Sequence, residues 1–376
     1  MERHPRTTLL ATTLVATLAS ASTAPATLSA VPEPAIEWDP RSYVCLRAPG
    51  AVTVDGNIAE PVWSMAPWTE PFVDIRGEGT ACPRVPTRAK MLWDDEFFYV
   101  AAEMEEPDLW GTLTARDAVI YHDNDFEVFI DPDGDTHEYY ELEVNALGTE
   151  WDLLLVRPYR DGAPAVDAWD IQGLETAVRL DGTLNDPSDY DAGWTVEIAI
   201  PWSVLDDCAH RPSPPHGGDR WRVNFSRVQW QLETDGGAYV KAVDDETGDP
   251  LPEDNWVWSP QGLVAMHYPE MWGFVEFWDV PAGVPSIAFP KAAPPGDEEK
   301  AAWALRRVYY RERDLYAEKG VFTTTLSELG LDTAPSDGYT WPPAISVTPR
   351  GFEASVATDD GTRVRIDELG RIRKDD

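Results

Sequence analysis

Acidic side chains are the most abundant residues of this sequence that could take part in catalysis or metal binding. The 376 residues include 67 Asp and Glu against 30 Lys and Arg, a formal charge of −37. Glu141 with Glu143, and Asp123 with Asp125, could form the carboxylate pair of a glycoside hydrolase, which stands about 5 to 9.5 Å apart across a cleft. Adjacent acids on a solvated hairpin rarely meet that demand, and so many acids produce pairs by chance. The sequence therefore disfavours hydrolysis.

A second acidic motif, Asp131-Pro-Asp-Gly-Asp135, has the spacing of acids found in calcium-binding loops. Its Gly comes two positions too early for an EF-hand, and the twelfth position is Leu142 rather than Glu. A hairpin turn is therefore the better interpretation of this motif. The sequence contains no nucleophilic triad, phosphate-binding loop or zinc motif.

The element that must position these acids is a predicted β-hairpin between His122 and Asn145. Apolar and polar residues alternate over 126–130 and again over 140–144, on either side of the Pro-Asp-Gly-Asp turn. One face of the hairpin is then apolar, and Glu127 points away from it, to solvent or to a concave surface. Since the apolar face needs a second sheet, the hairpin predicts a two-layer β architecture.

The rest of the chain extends this pattern. About ten short strands with turn signals at close intervals predict an all-β fold, an antiparallel β-sandwich (jelly-roll-like) over 31–280 with a small C-terminal α+β appendage. Within it, 51–54 is expected to be a strand and 31–40 a loose leader. The Pro-rich stretch 281–296 predicts a linker. The segment 297–376 is expected to hold a helix at 297–319, ended by Gly320, and a small meander.

The first 30 residues have the pattern of a signal peptide, with a basic start, a modest apolar run and small residues around Ala19, Ala21 and Ala24. No later segment reaches the length of a membrane span, so the mature protein is expected to be secreted or periplasmic, without an integral membrane segment. The negative charge argues against nucleic-acid binding. Cys45 and Cys82 could form a disulfide, with Cys208 unpaired, or all three could be free thiols.

Several motifs along the chain, taken in order, resemble carbohydrate-binding module family 9 and its wider DOMON-related relatives, in particular exported stand-alone members. They are Val54-Asp-Gly56 with Glu60-Pro-Val-Trp63, Leu92-Trp-Asp-Asp-Glu96 with Phe98-Tyr-Val100, Asn124-Asp-Phe-Glu-Val-Phe-Ile-Asp131, Thr195-Val-Glu-Ile-Ala-Ile-Pro-Trp202, and Met271-Trp-Gly-Phe-Val-Glu-Phe277. The resemblance covers Cys45 to Trp278. It implies a β-sandwich that binds plant-type polysaccharide or oligosaccharide without catalysis.

The resemblance also implies where the sugar would bind. Family 9 modules clamp a sugar between two tryptophans, and a Glu on the Phe-Glu-Val-Phe strand bonds its hydroxyls; that Glu is Glu127. The first stacking position falls at Tyr121 and the second at Met266, where stacking is largely lost. An aromatic ring with charged partners suits a pyranose, which has an apolar C–H face and a rim of hydroxyls.

Other residues could complete such a site. Trp110, Trp258, His267 or Tyr268 could supply the missing platform, and Asn224 and Arg227 could line the same surface from a later strand. Oxygen ligands are plentiful enough for calcium, although the sequence requires no cofactor.

Two other functions stay open as alternatives. One is an accessory protein of glycoside hydrolysis. The other is a non-covalent haem b-binding electron-transfer domain, because related sandwiches hold haem through Met with His or Lys, and no Cys-x-x-Cys-His motif is present. The residues available for haem ligation are Met104, Met266, Met271, His122 and His267.

Overall fold

The structure, a computed structural model, describes residues 28–77, 79–283 and 291–375. The predicted signal peptide therefore lies outside the described residues except for its last three positions, and so does much of the predicted linker. Fifteen strands lie between residues 28 and 283 in the part of the chain that the structure describes. They are β1 (Ser42–Arg47), β2 (Val73–Asp74), β3 (Thr87–Trp93), β4 (Phe97–Glu105), β5 (Asp125–Asp131), β6 (Tyr139–Asn145), β7 (Glu150–Leu155), β8 (Ala165–Val166), β9 (Glu175–Asp181), β10 (Gly193–Pro201), β11 (Arg220–Gln229), β12 (Leu232–Asp235), β13 (Ala238–Lys241), β14 (Asp254–Val257) and β15 (Gly273–Pro281).

Short helices interrupt the strands. They are α1 (Pro61–Ser64), α2 (Trp202–Leu205) and the 3₁₀ turns Ile120–His122, Tyr159–Asp161 and Pro269–Met271. After residue 290 come α3 (Asp297–Lys319), α4 (Leu326–Leu329), β16 (Ala344–Thr348), β17 (Gly351–Ala357), β18 (Arg363–Asp367) and β19 (Ile372–Asp375). No helix in the described ranges is long and apolar enough to cross a membrane.

The hydrogen-bonded strand order is β8-β7-β6-β5-β11-β15-β1-β3-β4-β10-β9, with β2 and β14 attached beside β11. Apolar side chains from both halves of this order meet in one core, for example Phe126 and Phe225 from one half and Met91 and Ile198 from the other. This two-layer arrangement and the C-terminal appendage confirm the all-β sandwich predicted from the sequence. The pairing is not wholly antiparallel, because β1 runs parallel to both β15 and β3.

Glu197 of β10 binds groups from two of the sequence motifs, which shows that both motifs are parts of the scaffold. Its carboxylate accepts the backbone N–H groups of Asp55 and Gly56 and the indole N–H of Trp63. Gly56 has a φ of +81°, and an added Cβ would lie 2.9 Å from the Arg179 backbone. The Asp-Gly turn and the Glu-Pro-Val-Trp helical turn therefore dock on one buried carboxylate. The predicted strand at 51–54 is wrong, because that segment has no strand partner.

The C-terminal appendage packs helix α3 on the four-stranded sheet β16–β19, with Leu305 and Val308 against Val364 and Ile366. Acidic residues begin the helix and Gly320, at a φ of +70°, ends it, as the sequence predicts.

Residues after position 30 join this appendage instead of forming a loose leader. Val31 is fully buried in the same apolar cluster as α3, and the indole of Trp38 stacks on that of Trp303 with centroids 5.6 Å apart. All three cysteines are free thiols, so the alternative of a Cys45–Cys82 disulfide is wrong.

Candidate functional site

Four carboxylates project from β5 and β6 on the side that faces away from the sandwich core. Glu127 lies directly opposite Glu143 in the strand pairing, and Asp125 and Glu141 lie on the same face one step to either side. They share this face because side chains two positions apart along a strand point the same way. We call these residues, Asp125, Glu127, Glu141 and Glu143, the acidic cluster.

The acidic cluster is almost closed to solvent, with residue exposures of 0, 5, 5 and 1% in chain order. One carboxylate oxygen each of Asp125, Glu127 and Glu143 lies within 4.8 Å of the other two. Two backbone N–H groups reach the cluster: that of Val228 donates to Asp125 Oδ1 at 3.2 Å, and that of Tyr121 donates to Glu143 Oε2 at 2.8 Å.

Burial raises the pKa of every carboxyl in the acidic cluster. The pKa of Glu127 rises to about 7, chiefly through loss of hydration, with a further increase from the negative charge of Glu253. The pKa values of Asp125, Glu141 and Glu143 are also well above normal, through burial first and then through the negative charges of their neighbours. The cluster therefore favours protons or another cation.

Aromatic side chains stand around the acidic cluster. Tyr121 is 38% exposed and Tyr159 is 49% exposed, and partly exposed Trp151 of β7 pairs with Glu143 on the cluster's face. The rings of Tyr121 and Trp151 have centroids 6.5 Å apart at an interplanar angle of 33°. Burial, and then the charge of Glu143, raise the pKa of Tyr121. We call Tyr121, Trp151 and Tyr159 the aromatic rim.

The rim is held by hydrogen bonds and ring contacts behind it. The indole N–H of Trp230 donates to the backbone oxygen of Tyr121 at 2.9 Å. The ring of His267 meets that of Tyr159 edge-on at 4.5 Å, and its Nδ1 lies 2.9 Å from the Tyr139 hydroxyl. Burial lowers the pKa of His267 to about 3, so this imidazole is neutral.

Two of the residues predicted as ligand contacts, Tyr121 and Glu127, lie in this one region, with Tyr121 open and Glu127 nearly covered. His267 lies beneath the rim. Trp110, only 7% exposed, packs with Trp230 and Val228 behind Tyr121. His267 and Trp110 therefore lie behind the rim, where they can support it. Direct contact of either residue with a sugar stays a prediction.

The structure corrects the assignment of Asn224, Arg227 and Trp258, which are fully buried. Asn224 and Arg227 are three positions apart on β11, so they point to opposite faces and cannot line one surface. Asn224 forms two hydrogen bonds of 2.8 Å with the backbone of Ser259. Arg227 donates to Glu106 at 2.9 Å inside the sandwich. The ring of Trp258 belongs to the core.

The sequence prediction missed two residues of the rim and did not join the four acids into one group. Hairpin register alone would have placed Glu143 opposite Glu127, because both belong to the predicted alternating runs. The positions of Trp151 and Tyr159 depend on how β7 and the following turn fold back, which no local pattern encodes.

The other acidic groups of the described chain contain basic side chains. Arg116 pairs with Asp152 in the group of Asp117, Asp152 and Asp170. In the group of Asp131, Asp133 and Asp135, Arg371 pairs with Asp135 at 2.7 Å. Asp131 accepts the backbone N–H groups of Gly134 and Thr136 at 3.0 Å, which agrees with the hairpin turn predicted there.

A separate open hollow of about 700 Å³ lies on another part of the sandwich. Its lining comes from β4, β9 and β10, and Tyr190, which is 83% exposed, stands at it. None of the predicted ligand-contact residues lines this hollow.

The candidate haem ligands are dispersed. Met104 lies in the sandwich core and Met271 in the C-terminal core, whereas His122 is on the surface. Partly buried Met266 packs beside Trp272. The arrangement of these side chains does not favour a haem site.

Two curated glycoside hydrolases match part of the chain, each at 25% identity over 156 residues, or 42% of this chain. One is exoglucanase XynX of Acetivibrio thermocellus and the other is endo-1,4-beta-xylanase A of Thermoanaerobacterium saccharolyticum. The matches span only 12% and 11% of those enzymes.

Solved structures include a carbohydrate binding module family 9 from Caldicellulosiruptor kristjanssonii, in complex with cellotriose and with glucose. Both structures are 17% identical to this chain with a TM-score of 0.41; they cover 67% and 64% of this chain, and 100% and 99% of the module.

A family model described as carbohydrate family 9 binding domain-like matches residues 54–273, which is more than half of the chain. This match confirms the resemblance that the sequence motifs indicate. The chain belongs to the carbohydrate family 9 binding domain-like family.

Proposed function

We propose that this protein binds a saccharide without catalysis, and that the sugar packs on Tyr121 with Trp151 and Tyr159 beside it. The proposal rests on one observation: the partly exposed aromatic rim lies against the acidic cluster in a member of a carbohydrate-binding family. A pyranose C–H face packs on an aromatic ring, and its hydroxyl groups donate stronger hydrogen bonds to charged oxygens than to neutral oxygens. The rim supplies the first kind of contact.

Because the carboxylates are buried, they and the aromatic rings contribute unequally to contact with a sugar. Glu127 is 5% exposed, so it can touch a sugar only at the edge of the cluster, whereas Tyr121 offers a broad open face. Ring stacking is therefore the main source of affinity. Trp151 and Tyr159 take the place of the second platform that is lost at Met266.

The same closure argues against a hydrolase. A glycosidase needs one carboxyl to protonate the leaving group and another at a cleft that admits the substrate. The carboxyl groups of the acidic cluster are buried together, and burial raises the pKa of each one. They have no access to a glycosidic bond in this arrangement.

The relatives suggest the class of ligand. Their names include an exoglucanase and an endo-1,4-beta-xylanase, so β-1,4-linked glucan and xylan oligosaccharides are the first candidates. Together with the signal-peptide pattern of the sequence, this context favours an exported protein that accompanies polysaccharide breakdown.

A glycan array followed by titration calorimetry tests the proposal. Tyr121→Ala and Trp151→Ala are each expected to weaken saccharide binding at least tenfold while the circular dichroism spectrum stays unchanged. Tyr190→Ala is the matched control, because it removes an exposed ring at the separate hollow. Unchanged affinity in Tyr121→Ala would refute the site, and release of reducing sugar by the wild-type protein would refute the absence of catalysis.

A further inference from the structure

We propose that Lys241 and Glu253 form a second, polar subsite of the saccharide surface, next to Tyr121 on the side of β5 away from Trp151. The ligand is then an oligosaccharide of at least two sugar rings, one on Tyr121 and the next on these two charged side chains. This inference rests on the proposed saccharide site, which it extends beyond the aromatic rim.

The order of the strands gives the direction in which the surface continues. Trp151 lies on β7, two strands from β5, and Tyr121 comes shortly before β5. On the other side of β5 lie β11 and, attached to it, β14. Trp230 comes directly after β11 and Glu253 directly before β14, so both residues lie across β5 from Trp151.

The strand register places Glu253 on the face that carries the saccharide site. Ser226 of β11 lies directly opposite Glu127, and Val228, two positions later, lies opposite Asn255 of β14. Side chains that lie directly opposite each other, or two positions apart along one strand, share a face. Glu253 is two positions before Asn255 and therefore points to the face of Glu127, away from the core of the sandwich.

Lys241 of β13 reaches this face over the ring of Trp230. Trp230 follows Val228 by two positions and shares its face, and its indole N–H donates to the backbone oxygen of Tyr121 at 2.9 Å. The Lys241 ammonium lies 3.2 Å from the centroid of the Trp230 ring, a cation–π contact. The ammonium is thus held beside Tyr121 by a ring that itself contacts Tyr121.

Both charged side chains are available to a ligand. Lys241 and Glu253 are partly exposed, whereas Glu127 is 5% exposed. Within the described residues, the Lys241 ammonium enters no ion pair and donates no hydrogen bond, and the Glu253 carboxylate accepts none. Glu253 therefore offers sugar hydroxyls the accessible carboxylate that the acidic cluster does not.

The electrostatics agree with a position of Glu253 between the rim and Lys241. Burial is the main cause of the raised pKa values of Glu127 and Tyr121, and the negative charge of Glu253 contributes to both. Burial lowers the pKa of Lys241, and the negative charges of Asp123 and Glu253 oppose that shift. The same carboxylate thus acts on groups at both ends of the proposed surface.

An ammonium beside a carboxylate suits the hydroxyl rim of a sugar. The ammonium of Lys241 only donates hydrogen bonds and the carboxylate of Glu253 only accepts them, whereas each hydroxyl does both. Hydrogen bonds to charged groups are also stronger than those between neutral groups. Because Trp230 lies under Lys241 and is only 8% exposed, this subsite offers no open ring for stacking. It therefore binds the hydroxyls of a sugar whose neighbour in the chain packs on Tyr121.

Titration of the full chain with cellotriose, a β-1,4-linked glucan, and with glucose tests the subsite. Lys241→Met and Glu253→Gln should each weaken cellotriose binding about tenfold or more, because each removes charged hydrogen bonds to hydroxyls. Each should change glucose binding less than about twofold, because a single ring occupies Tyr121 alone. Calorimetry measures cellotriose, and ligand-detected NMR measures the weaker glucose.

Glu233→Gln is the matched control for both variants. Glu233 lies on the same hairpin as Lys241, but it is exposed and pairs with Val240, whereas Lys241 pairs with Leu232. Residues at adjacent positions of a strand point to opposite faces, so Glu233 points away from Trp230. Its substitution should leave the affinity for both sugars unchanged.

The glucose titration separates direct contact from mere support of Tyr121. Equal losses of glucose and cellotriose in Lys241→Met and Glu253→Gln would mean that these residues only hold Tyr121 in place, and would overturn the subsite. Unchanged cellotriose affinity in both variants, with cellotriose binding lost in Tyr121→Ala, would reject the subsite and keep the saccharide site. Unchanged cellotriose affinity in Tyr121→Ala would reject the saccharide site and the subsite together.

Discussion

At the scale of single residues, the acidic cluster differs from the other acidic groups through what lies beside its carboxylates. Asp152 and Asp135 each have an arginine partner, so their groups are held by ion pairs within the fold. Glu127 has carboxylate neighbours, and burial raises its pKa to about 7. Its charge state near neutral pH is therefore sensitive to its surroundings, as expected at a binding site.

The raised pKa of Glu127 predicts that the stability of the protein depends on pH. The folded protein holds a proton on Glu127 up to about pH 7, whereas the unfolded chain releases it near 4.5, its ordinary pKa. Between these values the folded state binds more protons, so the free energy of unfolding falls as pH rises. Glu127→Gln should lose part of this fall, on the order of 3 kcal/mol or less.

Urea denaturation at several pH values, in wild type and Glu127→Gln, measures this effect. The comparison between the two proteins removes the contribution of other shifted groups, such as Asp135 and Glu312, whose pKa values also rise to about 7. Parallel curves for the two proteins would show that Glu127 titrates normally in the fold.

Arg227 allows a second test at this scale, because the sequence suggests a ligand contact and the structure shows a buried ion pair. Arg227 and Glu106 have side-chain exposures of 1% and 2%. Arg227→Ala leaves Glu106 buried without its partner, so the free energy of unfolding should fall by about 3 to 5 kcal/mol. Saccharide affinity of the remaining folded protein should be unchanged.

The matched control for Arg227 is Arg88→Ala, which breaks the exposed pair with Glu103 and should cost about 1 kcal/mol or less. Thermal unfolding and calorimetry on both variants give the two quantities. Normal stability with lost saccharide binding in Arg227→Ala would restore the sequence-based assignment.

At the scale of elements, local patterns predict what is built locally. The hairpin of β5 and β6 and the bounds of α3 follow from alternation, acidic first-turn residues and Gly320. The sequence does not predict the hairpin β12–β13, because its residues are mostly exposed and lack an apolar face. The sequence does not predict β19 either, for a similar reason: Ile372 is its one buried residue.

Local sequence patterns do not predict which strands pair when they lie far apart along the chain. The parallel contacts of β1 depend on strands almost 50 and more than 200 residues away, and no short motif records them. The rim has the same origin: Tyr121, Trp151 and Tyr159 come from a 3₁₀ turn, a strand and a second 3₁₀ turn that meet only after folding. Family resemblance located Tyr121 and Glu127 but not their neighbours.

The turn that carries Tyr159 is tied to helix α3, which predicts a coupling between the appendage and the site. Asp161, the last residue of that turn, accepts hydrogen bonds from Arg313 and from the hydroxyl of Tyr309, and its side chain is fully buried. Arg313→Ala should lower the free energy of unfolding by about 3 to 5 kcal/mol, because it leaves Asp161 buried and undercompensated. It should also weaken saccharide binding by loosening Tyr159.

Arg311→Ala is the control for Arg313, since Arg311 lies on the same helix but pairs with Glu33 at the surface. Its cost should be about 1 kcal/mol or less. Chemical denaturation and saccharide titration on both variants check the prediction. Equal stability of the two variants would mean that the buried pair contributes no more than the exposed one.

At the scale of the whole molecule, the appendage and the sandwich share polar contacts at several points. Arg371 of the appendage pairs with Asp135 at 2.7 Å, and the hydroxyl of Tyr310 donates to Glu270, which also pairs with Arg160. Coulombic attraction to Arg160 and hydrogen bonding outweigh burial and lower the pKa of Glu270 to about 2. These contacts make the C-terminal segment part of the folded unit rather than a separate module on a tether.

Removal of the residues after position 283 tests this view of the whole molecule. The deletion would uncover apolar side chains such as Val31 and Met271 and would take away Arg313, the partner of buried Asp161. Exposed apolar surface and an undercompensated buried charge both act against folding, so the shortened protein should aggregate or melt well below the full chain. Differential scanning calorimetry and size-exclusion chromatography measure these outcomes, and a shortened chain that melts with the full protein and binds saccharide equally would show that the sandwich folds and functions alone.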